Sequence, residues 1–96
     1  MDKLRIDKWL WAARFYKTRS LAADEADRGR VQINGSDAKP SREVRPGDTV
    51  PLRQGVVLRS VIVRGISAIR GPAPIAQSLY DETADTAAAR LRAAEH

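Results

Sequence analysis

Basic side chains recur through the first half of this chain at spacings that suit a polyanion. The stretch from Arg5 to Val50 has a dense middle reading RIDKWLWAARFYKTRSLAADEADRGRVQING, in which two short helical patterns stand back to back and a hairpin signal follows. Cations occur on all three pieces, so folding them together gathers positive charge onto one surface. Bond-making chemistry finds no equivalent foothold. The single histidine is the last residue, His96, so no Ser-His-Asp triad can be assembled. Neither GxxxxGK[ST] nor GxGxxG occurs. Cysteine is absent, which excludes disulfides and thiolate metal sites. Asp24, Glu25 and Asp27 read as a solvated acidic face, because no histidine or further carboxylate is spaced to complete a metal shell. The residues therefore point to a binding protein rather than an enzyme, with no cofactor, no metal and no small-molecule substrate.

Charge distribution sharpens this. The 96 residues carry a formal +5, but through Arg70 there are fifteen Lys or Arg against eight Asp or Glu, whereas from Gly71 onward two face four. The basic part is thus the folded front, a pattern that favours a nucleic-acid surface. Hydrophobic residues at 43% are enough for one small core, and the length suits one domain. No apolar run approaches the roughly 20 residues that span a bilayer. The opening MDKLRIDKWLW carries charges where a signal peptide needs an unbroken apolar segment. A cytoplasmic, monomeric protein with no membrane partner is expected.

The elements that must position these cations follow from periodicity and turn chemistry. Asp7 is placed as the N-cap of a first helix running to about Tyr16, with Ile6 and Trp11 at the positions of a hydrophobic staple. Trp9 and Trp11 point about 200° apart on a helix. One therefore belongs to the core and the other is partly exposed, where it either stacks on a base or covers the helix end. Thr18 opens a second helix that ends near Arg28, with Gly29 in the left-handed position beyond it. Ala22, Ala23 and Ala26 allow a close approach of the two helices. Arg19 lies in the second helix's first turn, where a cation opposes the helix dipole and a phosphate would be favoured.

Alternation begins at Val31, and Asn34-Gly35 signals a hairpin. Arg45-Pro46-Gly47-Asp48 fits a type II turn. Strands are expected from Thr49 to Arg53 and, after a Gln54-Gly55 turn, from Val56 to Ile66. Arg70 to Pro74 breaks the sheet. Ile75 to Tyr80 and Thr83 to Ala94 are alanine-rich and helix-prone, with Leu79 and Tyr80 as docking contacts. The expected fold is α+β: two short N-terminal helices packed on a small, mainly antiparallel sheet, with a core domain over 1–70 and a helical extension over 71–96.

RIDKWLWAARFYKTRSLA, then GRVQING, then KPSREVRPGDTV resemble the RNA-binding domain of the ribosomal protein S-four type, the alpha-L motif. DKWLWAARFYKTR, with the later LRQG, VIV and LYDETA, is similar to the ribosome-associated heat shock protein 15 family over nearly the whole chain. The resemblance implies a basic face that recognises structured RNA by backbone and shape. Carried over by position, Arg5, Lys8, Lys17, Thr18, Arg19, Arg30, Asn34 and Lys39 match the family's RNA-facing residues, with Arg14, Arg28 and Arg42 beside them. It also implies ribosome association, with large-subunit ribosomal RNA and peptidyl-tRNA as partners. The implied task is recycling or rescue of stalled free large subunits during stress. Such proteins commonly continue into a long basic C-terminal tail, whereas the segment before His96 is net negative. Two further readings stand beside this one. A general module for structured rRNA or tRNA needs no rescue role, and a DNA-binding helix-turn-helix protein can be imitated by two short helices with a basic second one.

Overall fold

The computed structural model describes residues 2–54 and 57–83. Over them the order is β1 (Leu4–Arg5), α1 (Ile6–Ala12), α2 (Arg19–Asp27), β2 (Gln32–Ile33), β3 (Ser36–Asp37), β4 (Glu43–Val44), β5 (Thr49–Gln54), β6 (Val57–Val63), α3 (Ala73–Gln77) and β7 (Tyr80–Glu82). This is the expected α+β architecture. β1 pairs with β4, β2 with β3, and β5, β6 and β7 form a sheet in that order; all pairs are antiparallel. The β2–β3 hairpin turns on Asn34 and Gly35, whose φ values of 52° and 86° are those an Asn-Gly turn supplies. Val31 bridges Leu52, and the Asn34 amide donates to the Thr49 carbonyl at 2.7 Å, so the hairpin is tied to β5.

The first helix ends at Ala12, short of the expected Tyr16, because the chain must turn to place Phe15 and Tyr16 in the core. Phe15 stacks at a tilt on Trp9, with centroids 5.8 Å apart, and on Tyr80 at 4.6 Å. Trp9 is wholly buried and Trp11 only partly, as their spacing required. Burying a large apolar side chain stabilises by roughly 1.5–3 kcal/mol, so this aromatic row is what presses α1 onto the sheet. The Trp9 indole Nε1 donates to the Gly65 carbonyl at 3.0 Å. A Cβ at Gly65 would meet Leu79 Cδ2 at 3.2 Å, so a glycine lets the two segments close over the indole. α2 packs on α1 through the buried Ala22 and Ala26.

Three boundaries differ from expectation. β6 stops at Val63 instead of Ile66, since the Arg64 and Gly65 amides turn to the Leu79 carbonyl at 2.8 and 3.1 Å. The helix expected over Ile75 to Tyr80 is displaced to Ala73–Gln77, and Tyr80 opens β7. Here the edge of β6, which offers unpaired backbone groups, overrides the modest helix propensity of the segment. Thr83, expected to begin a helix, instead donates its amide to the Ser60 carbonyl at 3.0 Å and prolongs the pairing. Leu79 and Tyr80 are packed against the core as anticipated. Gly55, Val56 and residues 84–96 lie outside the described residues. With them lie the turn expected at Gly55, the strand start at Val56 and the helix expected to run to Ala94.

Trp9→Phe leaves the Gly65 carbonyl without its donor and a gap in the core. We expect it to lower the unfolding free energy by about 2–3 kcal/mol in urea titrations. A variant as stable as the parent would mean that the indole does not anchor α1.

Candidate nucleic-acid interface

The N-terminus of α1 is built from several parts of the chain. The Ile6 amide donates to the Arg42 carbonyl at 2.7 Å and the Asp7 amide to the Pro40 carbonyl at 3.4 Å. These main-chain acceptors satisfy donors that a helix start normally leaves to a side chain. Asp7 is accordingly not the N-cap; Arg5 occupies that position without a side-chain cap. The Asp7 carboxylate lies inside the first turn, 4% exposed, and accepts from the Lys8 amide at 2.7 Å and from Arg5 Nη2 at 3.0 Å. Arg19 Nη2, from the first turn of α2, stands 3.7 Å from its other oxygen. The cation that opposes the α2 dipole is thus compensated by a buried anion. Two arginines from different elements converge on one acid and keep their outer edges in solvent.

Neighbouring candidates join this cluster through the backbone. Thr18 Oγ1 accepts from the Leu21 amide at 3.0 Å, which makes it the N-cap of α2, and its hydroxyl hydrogen remains available to donate. Lys17 precedes it, exposed, and Lys8 follows Asp7; neither pairs with a carboxylate among the described residues. The Lys39 to Arg42 loop seats α1, as its carbonyls show, and Lys39 Nζ lies 4.0 Å from Asp27 Oδ1 at the end of α2.

Other expected residues lie elsewhere. Arg28 is the C-cap of α2, and Arg30 closes on both oxygens of Glu25 at 3.0 and 3.1 Å. Asn34 uses its side chain structurally, donating to Asp48 Oδ1 at 3.2 Å and accepting from the Thr49 amide at 2.9 Å. Arg14 lies past the opposite end of α1, where its Nε donates to the Gly71 carbonyl at 2.7 Å. The sequence reading missed the anchoring role of Asp7, since an acid beside Ile6 and Lys8 looks like any capping residue.

Behind the helices, Tyr16 is buried and its hydroxyl reaches the Arg53 carbonyl at 3.5 Å. Burial, and secondarily the charge of Glu25, push its pKa up from 10.0 to about 12, against opposing pulls from Arg30 and Arg59. The fold favours the neutral phenol. Its contribution to stability is therefore complete below pH 10 and is lost as pH rises through about 12. Tyrosinate absorbance should show this late ionisation, and Tyr16→Phe should remove that component; a titration with no transition near pH 12 would refute the shift. Separately, Asp7→Ala leaves the Lys8 amide without its acceptor and two arginines without their shared anion. We expect a loss of about 1–3 kcal/mol in chemical denaturation, with an unchanged midpoint counting against the bridge.

Comparison with known proteins agrees with this geometry. The S4 domain family matches residues 4–50, the segment holding α1, α2, the hairpin and the seating loop. Heat shock protein 15 of Escherichia coli is 49% identical over 92 residues, covering 96% of this chain and 69% of that protein. The RQC P-site tRNA stabilizing factor of Bacillus subtilis is 47% identical over 60 residues, covering 62% of this chain and 70% of its own. Among solved structures, the trimeric heat shock protein 15 of Vibrio cholerae superposes with a TM-score of 0.92 at 50% identity, covering 98% of this chain and 95% of that one. With about half of its residues identical over nearly its whole length, the chain belongs to the heat shock protein 15 family.

Proposed function

We propose that this protein binds structured RNA and associates with the ribosome. Its target in this reading is the free large subunit that still carries a peptidyl-tRNA, in the recycling or rescue of stalled subunits during stress. The observation that carries the RNA reading is the convergence of Arg5 and Arg19 on the buried Asp7 within the S4-matched segment, with Lys17 and Thr18 alongside. Arginine forks suit phosphate oxygens, and a fixed array of them recognises the spacing of a backbone rather than a base sequence. The tRNA element of the proposal is supported by the name of the Bacillus subtilis relative.

No helix among the described residues is long and apolar enough to cross a membrane, and the proposed site of action is the cytoplasm, on ribosomes. We assign RNA contacts to residues 1–70 and a packing role to the extension, whose Leu79 and Tyr80 close the core. A single chain supplies every group around Asp7, so a monomer is the proposed binding unit. The trimeric description of the Vibrio cholerae relative makes sedimentation of the free protein the matching control.

Co-sedimentation should recover the protein with purified large subunits carrying peptidyl-tRNA, more than with empty subunits or with tRNA alone. Equal recovery in all three would leave a general RNA module and remove the rescue role. Lys17→Ala and Arg19→Ala should each weaken binding and reduce the slope of log affinity against log salt by about 0.7–0.9, the share of one phosphate contact. Unchanged slopes in folded variants would overturn the assignment of these residues.

A further inference from the structure

α1 and α2 end in the same hydrogen-bond pattern but with different residues at its left-handed position. At the end of α2 the Gly29 amide donates to the Ala26 carbonyl at 3.1 Å and the Arg30 amide to the Glu25 carbonyl at 3.1 Å, with Gly29 at φ 77°. At the end of α1 the Arg14 amide donates to the Trp11 carbonyl at 3.1 Å and the Phe15 amide to the Leu10 carbonyl at 3.0 Å, with Arg14 at φ 65°. Each is a Schellman turn, whose left-handed position is normally filled by glycine. α1 fills it with a bulky cation, a conformation that costs energy and calls for a use of the side chain.

Arg14 reaches across to the backbone beside Arg70, and Arg70 reaches back. Arg14 Nε donates to the Gly71 carbonyl at 2.7 Å; Arg70 Nε donates to the Trp11 carbonyl at 3.2 Å, the oxygen that also takes the Arg14 amide. The two side chains thereby cross between the same two segments, each tied by its Nε, with no bond from either Nη pair among the described residues. Neither arginine has a carboxylate within ion-pair reach among the described residues, a state shared with Arg28, Arg42, Arg45 and Arg53, but of these six only Arg14 and Arg70 reach across to each other's segment. Two cations tied to facing segments repel where no described carboxylate balances them, and their free forks match the oxygens of a phosphodiester.

We infer that Arg14 and Arg70 form a second phosphate-binding site for an RNA backbone, at the far end of α1 from the Asp7 cluster and reaching beyond the S4-matched segment. This rests on the RNA reading above and extends it. Arg70 then joins the bound surface although it follows the sheet in sequence, because the segment it belongs to folds back onto the end of α1.

The test is the salt dependence of binding, by fluorescence anisotropy, to large-subunit ribosomal RNA and separately to tRNA. Arg14→Gly should keep the thermal midpoint, since glycine suits the left-handed turn, yet lower the slope by about 0.7–0.9. Arg70→Gln should lower it similarly, Arg70→Lys should restore it by keeping the charge, and Arg64→Gln, at a cation that belongs to neither proposed site, should leave it unchanged. A loss with either RNA supports the site and identifies which one supplies the phosphate. Parental slopes for Arg14→Gly and Arg70→Gln with both RNAs, while Arg19→Ala still lowers them, would overturn this site and leave the proposed function standing. Absence of salt-dependent binding by the unaltered protein would overturn both.

Discussion

A helix of seven residues has no stability of its own, because nucleation costs more than its few internal hydrogen bonds return. α1 therefore exists by virtue of what surrounds it. Its first amides are taken by carbonyls of the Pro40 to Arg42 loop, its indole Trp9 is roofed by Gly65 and Leu79, and its last carbonyls are taken by its own turn and by Arg70. Segments distant in sequence meet on this one short element. The cations proposed to bind RNA stand at its two ends for the same reason: those ends are where the other segments arrive.

Several of these cations are also structural, and the two roles are compatible. Arg5 and Arg19 balance a buried carboxylate, Arg30 embraces Glu25 and Lys39 approaches Asp27, but each side chain is roughly half exposed or more. Where both members are exposed, as in Lys39–Asp27, ion pairs contribute little to stability, typically about 0–1 kcal/mol. Their larger effect is to limit the rotamers of long side chains, so that less conformational entropy is lost when a phosphate arrives. Lys8 and Lys17, which have no such partner among the described residues, give the surface charge without that ordering.

Local signals were strong where the chemistry is local. Thr18 as cap, Gly29 beyond the second helix, the Asn34-Gly35 hairpin and the opposed faces of Trp9 and Trp11 all depend on neighbours within a few residues, and all are found. Readings failed where a distant segment supplied the partner. Asp7 looked like a cap because nothing nearby revealed that Pro40 and Arg42 would satisfy the helix start. Tyr80 looked helical because alanines precede it, and the edge of β6 that recruits it begins more than twenty residues upstream. β1 and β4, two residues each, carry no periodicity by which either could be recognised before they pair.

What the sequence determined by itself was the class of the molecule: a small α+β domain, basic over its front 70 residues, with its helix and hairpin punctuation written in single residues. Charge, turn chemistry and the helix-to-strand change of period are properties of a contiguous stretch, so they can be read without folding it. What the tertiary structure alone decided was which cations share a place. Arg5 meets Arg19 over Asp7, and Arg14 and Arg70 each bond the backbone of the other's segment at the end of α1, through contacts between residues far apart along the chain. Such meetings are fixed by core packing and by the closing of unsatisfied backbone groups, and neither leaves a trace in the spacing of the residues concerned.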